Sequence, residues 1–386
     1  MREFCPIWRD LEIACKGKYL GFILGPKASQ DGWTEPLAKF ESQVNFWATM
    51  RLGMAMNIVA FNVYIVPVLE YVAQLLLPDG RVYEAMALAM RRLASGPGNW
   101  VDLQDLENLT QYGFQAELRT IGCTAKASKL RVAMTTASDA RQKCDELEVL
   151  QMEYLYRPFK GWHQRSFYKT LNDNRIEVER LGLTLGGLRD KAMKDAGNED
   201  SFQKHARKAI ATKTAPYNLE LRIRGKMKRW KLDGPEATVA ARIARNCNTI
   251  GRTCRPCVVG MVFRTLYNGW PTTWRMRTMP GAACVRSCVL GCSSTAVDKI
   301  EHYLVCPVAW QVFSTNHSTQ LDPCRKNRQA MLLAEKGLDE REISNIGVSI
   351  YAMARTVHAC RGNEDCEPTA VFRLYLAEGI RGQKRW

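Results

Sequence analysis

Four side chains near residue 300 constrain the fold more than any other stretch of the chain. The segment Cys288-Val-Leu-Gly-Cys292-Ser-Ser-Thr-Ala-Val-Asp-Lys-Ile-Glu-His302-Tyr-Leu-Val-Cys306-Pro has the spacing C-x3-C-x9-H-x3-C. The two close cysteines, with Gly291 between them, suit a knuckle that turns both sulfurs toward one point. His302 and Cys306 are four apart, so on a helix they share one face. Three thiolates and an imidazole are the ligand set of a tetrahedral zinc site, and four protein ligands leave no coordination position for catalysis. The spacing therefore predicts one structural Zn2+ held by Cys288, Cys292, His302 and Cys306. Cys284 is a substitute for Cys288, and Cys254-Arg-Pro-Cys257 is itself a C-x2-C pair with Cys247 nearby. A lone pair of this kind describes a second metal site, a redox pair or unrelated thiols; unrelated thiols are the preferred reading.

A metal site needs thiols that stay reduced. The start, MREFCPIWRDLEIACK, has no uninterrupted apolar run and does not read as a secretory signal. The most apolar stretch, Met54 to Leu77, contains Asn57, Asn62, Pro67, Glu70 and Gln74, which a bilayer would penalise, so it reads as buried helix and no membrane partner is expected. On that reading the 14 cysteines are thiols and metal ligands rather than disulfides, and the nucleus or cytoplasm is the expected setting. The charge is the second constraint. Fifty-five Lys and Arg against 39 Asp and Glu leave +16, and such an excess attracts polyanions by releasing their condensed counterions.

Periodicity makes the chain mainly α. Residues 18–24 read as a short strand ended by Gly25-Pro26. From Trp33 the pattern is helical, with Leu37, Phe40, Val44 and Trp47 on one face. Further helices are predicted over 54–76 with a break at Pro67, then over 81–94, 102–112, 114–134 and 138–156. Residues 157–250 carry many charges and few long apolar patterns; they read as a basic linker with loosely packed helices and a turn at Leu185-Gly186-Gly187. Residues 251–315 hold the metal module, and 316–386 hold two helices, near 326–336 and 340–358, before a basic tail.

Between Lys204 and Lys231 ten cations, Lys204, Arg207, Lys208, Lys213, Arg222, Arg224, Lys226, Lys228, Arg229 and Lys231, face one acid, Glu220, leaving +9. All of these cations but Lys213 are the expected phosphate contacts, with Tyr217 and Trp230 placed to stack on unpaired bases. Arg275 and Arg277, just before the metal segment, are two more, while Trp270 reads as packing. The pairs Glu146/Glu148 and Glu177/Glu179 read as exposed and structural. There is no phosphate-cradling G-x-x-x-x-G-K-[ST] loop, no G-x-S-x-G elbow and no Asp-Asp pair to hold Mg2+, so no catalysis is expected.

Two stretches together resemble the carboxy-terminal part of a non-LTR retrotransposon reverse transcriptase. Lys18-Tyr19-Leu20-Gly21-Phe22-Ile23-Leu24-Gly25 is similar to the strand that follows the catalytic palm motifs, and Trp33, Pro36, Leu37 and Lys39-Phe40, then Tyr64, Pro67 and Leu69, are similar to the thumb. Asp298-Lys-Ile-Glu301-His302-Tyr-Leu-Val-Cys306-Pro resembles the zinc-binding motif that closes many such polymerases. The likeness covers residues 15–100 and 260–312. It implies a residual palm-edge strand region over 1–30 and a thumb-like helical bundle over 31–156, followed by the segments already given. The family's catalytic aspartates precede the Tyr-Leu-Gly strand, and here only 18 residues do. The resemblance thus implies a non-catalytic fragment or remnant that contacts the backbone of RNA, DNA or a hybrid without strong sequence preference. The alternative is a zinc-stabilised helical scaffold for protein–protein interaction.

Overall fold

Apolar residues at three- and four-residue steps become helices in a computed structural model of the chain, which is mostly helical with one short two-stranded sheet near its N-terminal end. The structure describes residues 16–24, 31–135, 162–196, 202–214, 216–278, 284–316, 327–361, 363 and 366–383. The helix expected over 138–156, with Glu146 and Glu148, lies outside them. The chain divides into two compact units built from alternating segments: residues 1–46, 63–89 and 119–216 form the first, and residues 47–62, 90–118 and 217–386 form the second.

In the first unit residues 18–24 are a hairpin rather than one strand. Gly17–Tyr19 pairs antiparallel with Phe22–Leu24, Tyr19 opposite Phe22. Leu20 (φ 47°) and Gly21 (φ 84°) both take left-handed backbone, as a two-residue hairpin turn requires. The Tyr71 hydroxyl donates to the Leu20 carbonyl (2.6 Å), and its ring stacks on Phe22. Helix Thr34–Thr49 buries Phe40 and Val44, and Trp33 before it donates from Nε1 to the Leu77 carbonyl (2.9 Å). Pro67 does break the apolar stretch: it opens helix Pro67–Ala73, and the residues before it, Phe61–Ile65, form a π-helical turn. Helix Ile121–Thr135 buries a charged side chain, Lys129, whose Nζ donates to the carbonyls of Ala73 (3.0 Å) and Leu76 (3.1 Å). Those oxygens belong to a helix end that has no amide left to satisfy them.

The segment read as a basic linker with loosely packed helices does hold helices, and they share a buried core. Helices Trp162–Arg180, Leu185–Ala196 and Phe202–Thr214 bury Val178, Leu188, Ala192, Phe202, Ala206 and Ile210 against Ala127 and Leu130. One apolar residue per turn is enough where a helix faces a single neighbour, and so narrow a stripe is hard to see among charges. The turn sits at Gly182 (φ 74°), and Leu185 starts the next helix with the Thr184 hydroxyl accepting from the Gly187 amide (3.2 Å). Glu177 and Glu179 make surface ion pairs with Lys126 and Arg175.

The second unit is organised around helices Glu236–Thr253, Pro256–Leu266 and Glu340–Cys360, the last buried on most sides. Asp339 and Glu342 cap its start reciprocally. The helix predicted over 102–112 is present as Leu103–Glu107 followed by 3-10 turn Leu109–Tyr112, whereas residues 114–120 are not helical. Gly113 (φ 88°) closes that turn against Gly251, so closely that a Cβ on Gly251 would stand 2.2 Å from the Gly113 carbonyl oxygen. The expected basic tail is instead helix Pro368–Gln383, which packs on Glu340–Cys360 through Phe372 and Leu376. Cys360 and Cys366 are joined as a disulfide between these helices, against the expectation of thiols throughout. Among the described residues no single helix is long and apolar enough to cross a membrane.

Candidate metal centre

The four predicted ligands come together. The ligand atoms of Cys288, Cys292, His302 and Cys306 all lie within 4.8 Å of one another, with Cys288 Sγ 4.0 Å from Cys306 Sγ and Cys292 Sγ 3.1 Å from His302 Nε2. Ligands at about 2.0–2.3 Å from a tetrahedral zinc stand about 3.3–3.8 Å apart, so the cluster fits one such ion after small adjustments. Cys288 and Cys306 are buried, and Cys292 and His302 are half-buried. The contact with Cys306, and then burial, pushes the Cys288 thiol up to about 12. The same contact holds Cys306 below the ordinary thiol range. A cation held by the four side chains would displace the thiol protons.

Local structure explains the convergence. Ser287 bridges Val297 in antiparallel fashion, and the Cys288 amide donates to the Ala296 carbonyl (2.6 Å). Gly291, at φ 70°, turns the chain between the two cysteines. The short helix Ile300–Tyr303 carries His302, and Cys306 stands immediately before helix Pro307–Asn316.

Below the ligands lies a buried polar buttress that ligand spacing does not reveal. Asp298 is fully buried; its carboxylate accepts from the Thr273 amide (2.8 Å), the Tyr303 hydroxyl (2.7 Å) and Arg361 (3.2 Å). The Tyr303 hydroxyl also accepts from the Val289 amide (3.3 Å), inside the Cys288–Cys292 turn. Trp270 packs as expected, stacked on Tyr303 with its Nε1 donating to Thr265. Asp298 and Tyr303 stand four residues before and one residue after the ligand His302, a nearness in sequence that could have pointed to them.

The other cysteines stand apart. Cys284 is exposed and outside the cluster; Cys247 and Cys254 are buried in the helical core, and Cys257 is exposed on another helix. Burial pushes the Cys247 thiol up to about 12. Among the described residues no second group of three or more His, Cys, Asp or Glu side chains gathers as a metal site.

The basic run is divided by the fold. Lys204, Arg207, Lys208 and Lys213 lie on helix Phe202–Thr214 of the first unit, and Arg222 to Lys231 belong to the second. Lys204, Lys208 and Lys213 are exposed, while the charge of Arg207 acts on the partly buried Glu70. In the second unit several expected phosphate contacts are already paired. Arg222 grips the fully buried Asp105 through two bonds (2.7 and 2.8 Å) and also meets Asp102. Arg224 pairs with Glu236 (2.7 Å) and Arg229 with Glu301 (2.8 Å). The local count of +9 misses these acids because they are distant in sequence. Nor are the two aromatics free to stack on bases: Trp230 is buried, and the Tyr217 hydroxyl bonds Asp105 (2.9 Å) and Tyr112 (2.6 Å). Lys228 and Lys231 are exposed, and Arg277 lies over the exposed Trp274 ring at 4.1 Å. Lys226 and Arg275 are half-buried near one another.

Compared with protein-family models, with curated proteins and with solved structures, the chain matches none of them.

Proposed function

We propose that this chain is a zinc-stabilised, non-catalytic module that binds nucleic acid through its phosphate backbone, similar in role to the carboxy-terminal part of a non-LTR retrotransposon reverse transcriptase. The observation that carries the reading is the Cys3His cluster, closed by four protein ligands, in a chain of net charge +16. Zinc suits the donor set: three thiolates and an imidazole favour it over Mg2+ or Ca2+, which take oxygen ligands. With every position filled by protein, the ion shapes its surroundings and does no chemistry. The exposed Lys204, Lys208, Lys213, Lys228 and Lys231 supply charge that reads backbone rather than sequence.

The test measures zinc and binding together. Purified protein should carry about one equivalent of zinc, lost in Cys292→Ser, and should bind an RNA–DNA hybrid with an affinity that falls steeply with salt. Metal content unchanged by the substitution, or affinity indifferent to salt, refutes the reading; robust primer extension with Mg2+ refutes its non-catalytic part. A second reading, a scaffold for another protein, draws on Met50, Leu52, Met56 and Val59, which are 38–48% exposed. That scaffold would retain zinc but show no salt-dependent nucleic-acid binding.

A further inference from the structure

Two cations of the second unit lack the carboxylate partners that their neighbours Arg222, Arg224 and Arg229 have. Lys226, near the end of helix Leu219–Met227, places Nζ 4.6 Å from the centre of the Tyr267 ring. Arg275 lies on the short helix Thr273–Met276, and its Nε is buried with no hydrogen-bond partner. Neither forms an ion pair with Asp or Glu among the described residues. Arg229 flanks them: it bonds Glu301, and the Asn268 amide, turned so that its oxygen faces Arg229, accepts from both terminal guanidinium nitrogens (2.8 and 3.1 Å). Tyr267 and Asn268 are consecutive, so the supports of Lys226 and Arg229 adjoin. Burial pushes the Lys226 ammonium down, and the charges of Arg222, Arg275 and Arg229 add to that while Asp105 opposes it. Cations do not gather in this way without cost. The nearby acids are committed, Asp105 to Arg222 and two tyrosines and Glu301 to Arg229. What the arrangement lacks is an anion.

The metal module holds two of these cations in place. Glu301, the partner of Arg229, directly precedes the ligand His302. Asp298 fixes the Arg275 segment through the Thr273 amide (2.8 Å) and, from its carbonyl, the Trp274 amide (3.2 Å). We propose that Lys226, Arg229 and Arg275 form a binding point for one phosphodiester group of a nucleic acid, and that the metal cluster keeps its geometry. This rests on the nucleic-acid reading above and deepens it: the zinc acts on affinity without touching the ligand.

The experiment uses the full chain and a labelled RNA–DNA hybrid, with affinity measured by anisotropy across salt concentrations. Lys226→Gln/Arg275→Gln should weaken binding and reduce the magnitude of the log–log salt slope by about 1, the loss of roughly one phosphate contact. Its zinc content should match wild type and its unfolding should be no easier, because neither side chain makes an ion pair and the gathered cations repel one another. Glu301→Gln leaves all four ligands intact and should also weaken binding, but add little on top of the double variant, since both act on one site. Inorganic phosphate at millimolar concentration should compete poorly; equal competition would mean a site for free phosphate. If the wild type fails to bind nucleic acid, the functional reading falls. If it binds with normal salt dependence and the double variant keeps the same slope, this binding point is wrong while that reading stands. If Glu301→Gln weakens binding equally in wild type and double variant, the link from metal module to phosphate point is wrong.

Discussion

Replacing Asp298 by alanine removes a carboxylate on which three segments of the second unit depend. The Thr273 amide and the Tyr303 hydroxyl, both buried, lose their acceptor. Orphaned buried donors cost about 1–3 kcal/mol each. Arg361, 20% exposed and also bonded to the Pro271 carbonyl, turns to water at a cost of about 1 kcal/mol or less. The sum, roughly 2–7 kcal/mol, is a large share of the ~5–15 kcal/mol that stabilises an ordinary domain. The loss also reaches the ligands, because a Tyr303 hydroxyl without Asp298 no longer steadies the Val289 amide in the cysteine turn. Urea unfolding of the zinc-loaded protein should show the destabilisation, and a colorimetric chelator should extract the metal about 10- to 100-fold more readily. Asp298→Asn keeps one acceptor oxygen and should fall between the two. An alanine variant that unfolds within about 1 kcal/mol of wild type and releases metal at the same rate would refute the buttress.

Lys129 gives a pH signature. Burial pushes its ammonium down to about 8 from an ordinary 10.5, so between those values the unfolded chain holds more protons than the folded one, and stability rises with pH across that window. The gap sets a ceiling of ~3 kcal/mol, which the two carbonyl bonds reduce. The stability difference between wild type and Lys129→Met should therefore change with pH over about 8–10.5 in the wild type's favour, and a constant difference would overturn the assignment. Gly251→Ala should cost about 3 kcal/mol by forcing a methyl group into the Gly113 backbone, whereas Gly260→Ala, with nothing within 4 Å, should be neutral or slightly stabilising. Thermal melts of the two should diverge; matching melts would mean that the chains separate easily at Gly113.

What was legible beforehand was local. The four ligands lie within 19 consecutive residues, so their spacing announced the cluster, although Cys306 stands past the end of helix Ile300–Tyr303 rather than on one helix face with His302. Pro67 announced its break because a proline acts on its own turn. The final helix was missed because residues 368–383 read as a charged tail, although Phe372 and Leu376, four apart, marked a face. The reading of the basic run failed for a different reason. Arg222 meets Asp105 across 117 residues, and Arg229 meets Glu301 across 72, separations that no local count of charge can see. The Leu20-Gly21 turn was hidden by a leucine in a conformation that side chains usually avoid.

The alternation of segments between the two units sets an order on synthesis. The first unit has all its parts once residue 216 has left the ribosome, but residues 47–62 and 90–118 must wait for partners that begin at Tyr217. Ile58, Trp100, Leu109 and Tyr112 end up buried in the second unit, yet they emerge well before helix Pro256–Leu266. At ~5–20 residues per second that is an interval of several seconds or more with apolar surface uncovered, a time in which chaperones or aggregation compete for the chain. Cutting the chain after Pro216 would make that interval permanent, leaving two stranded apolar segments in the middle of the first unit's sequence.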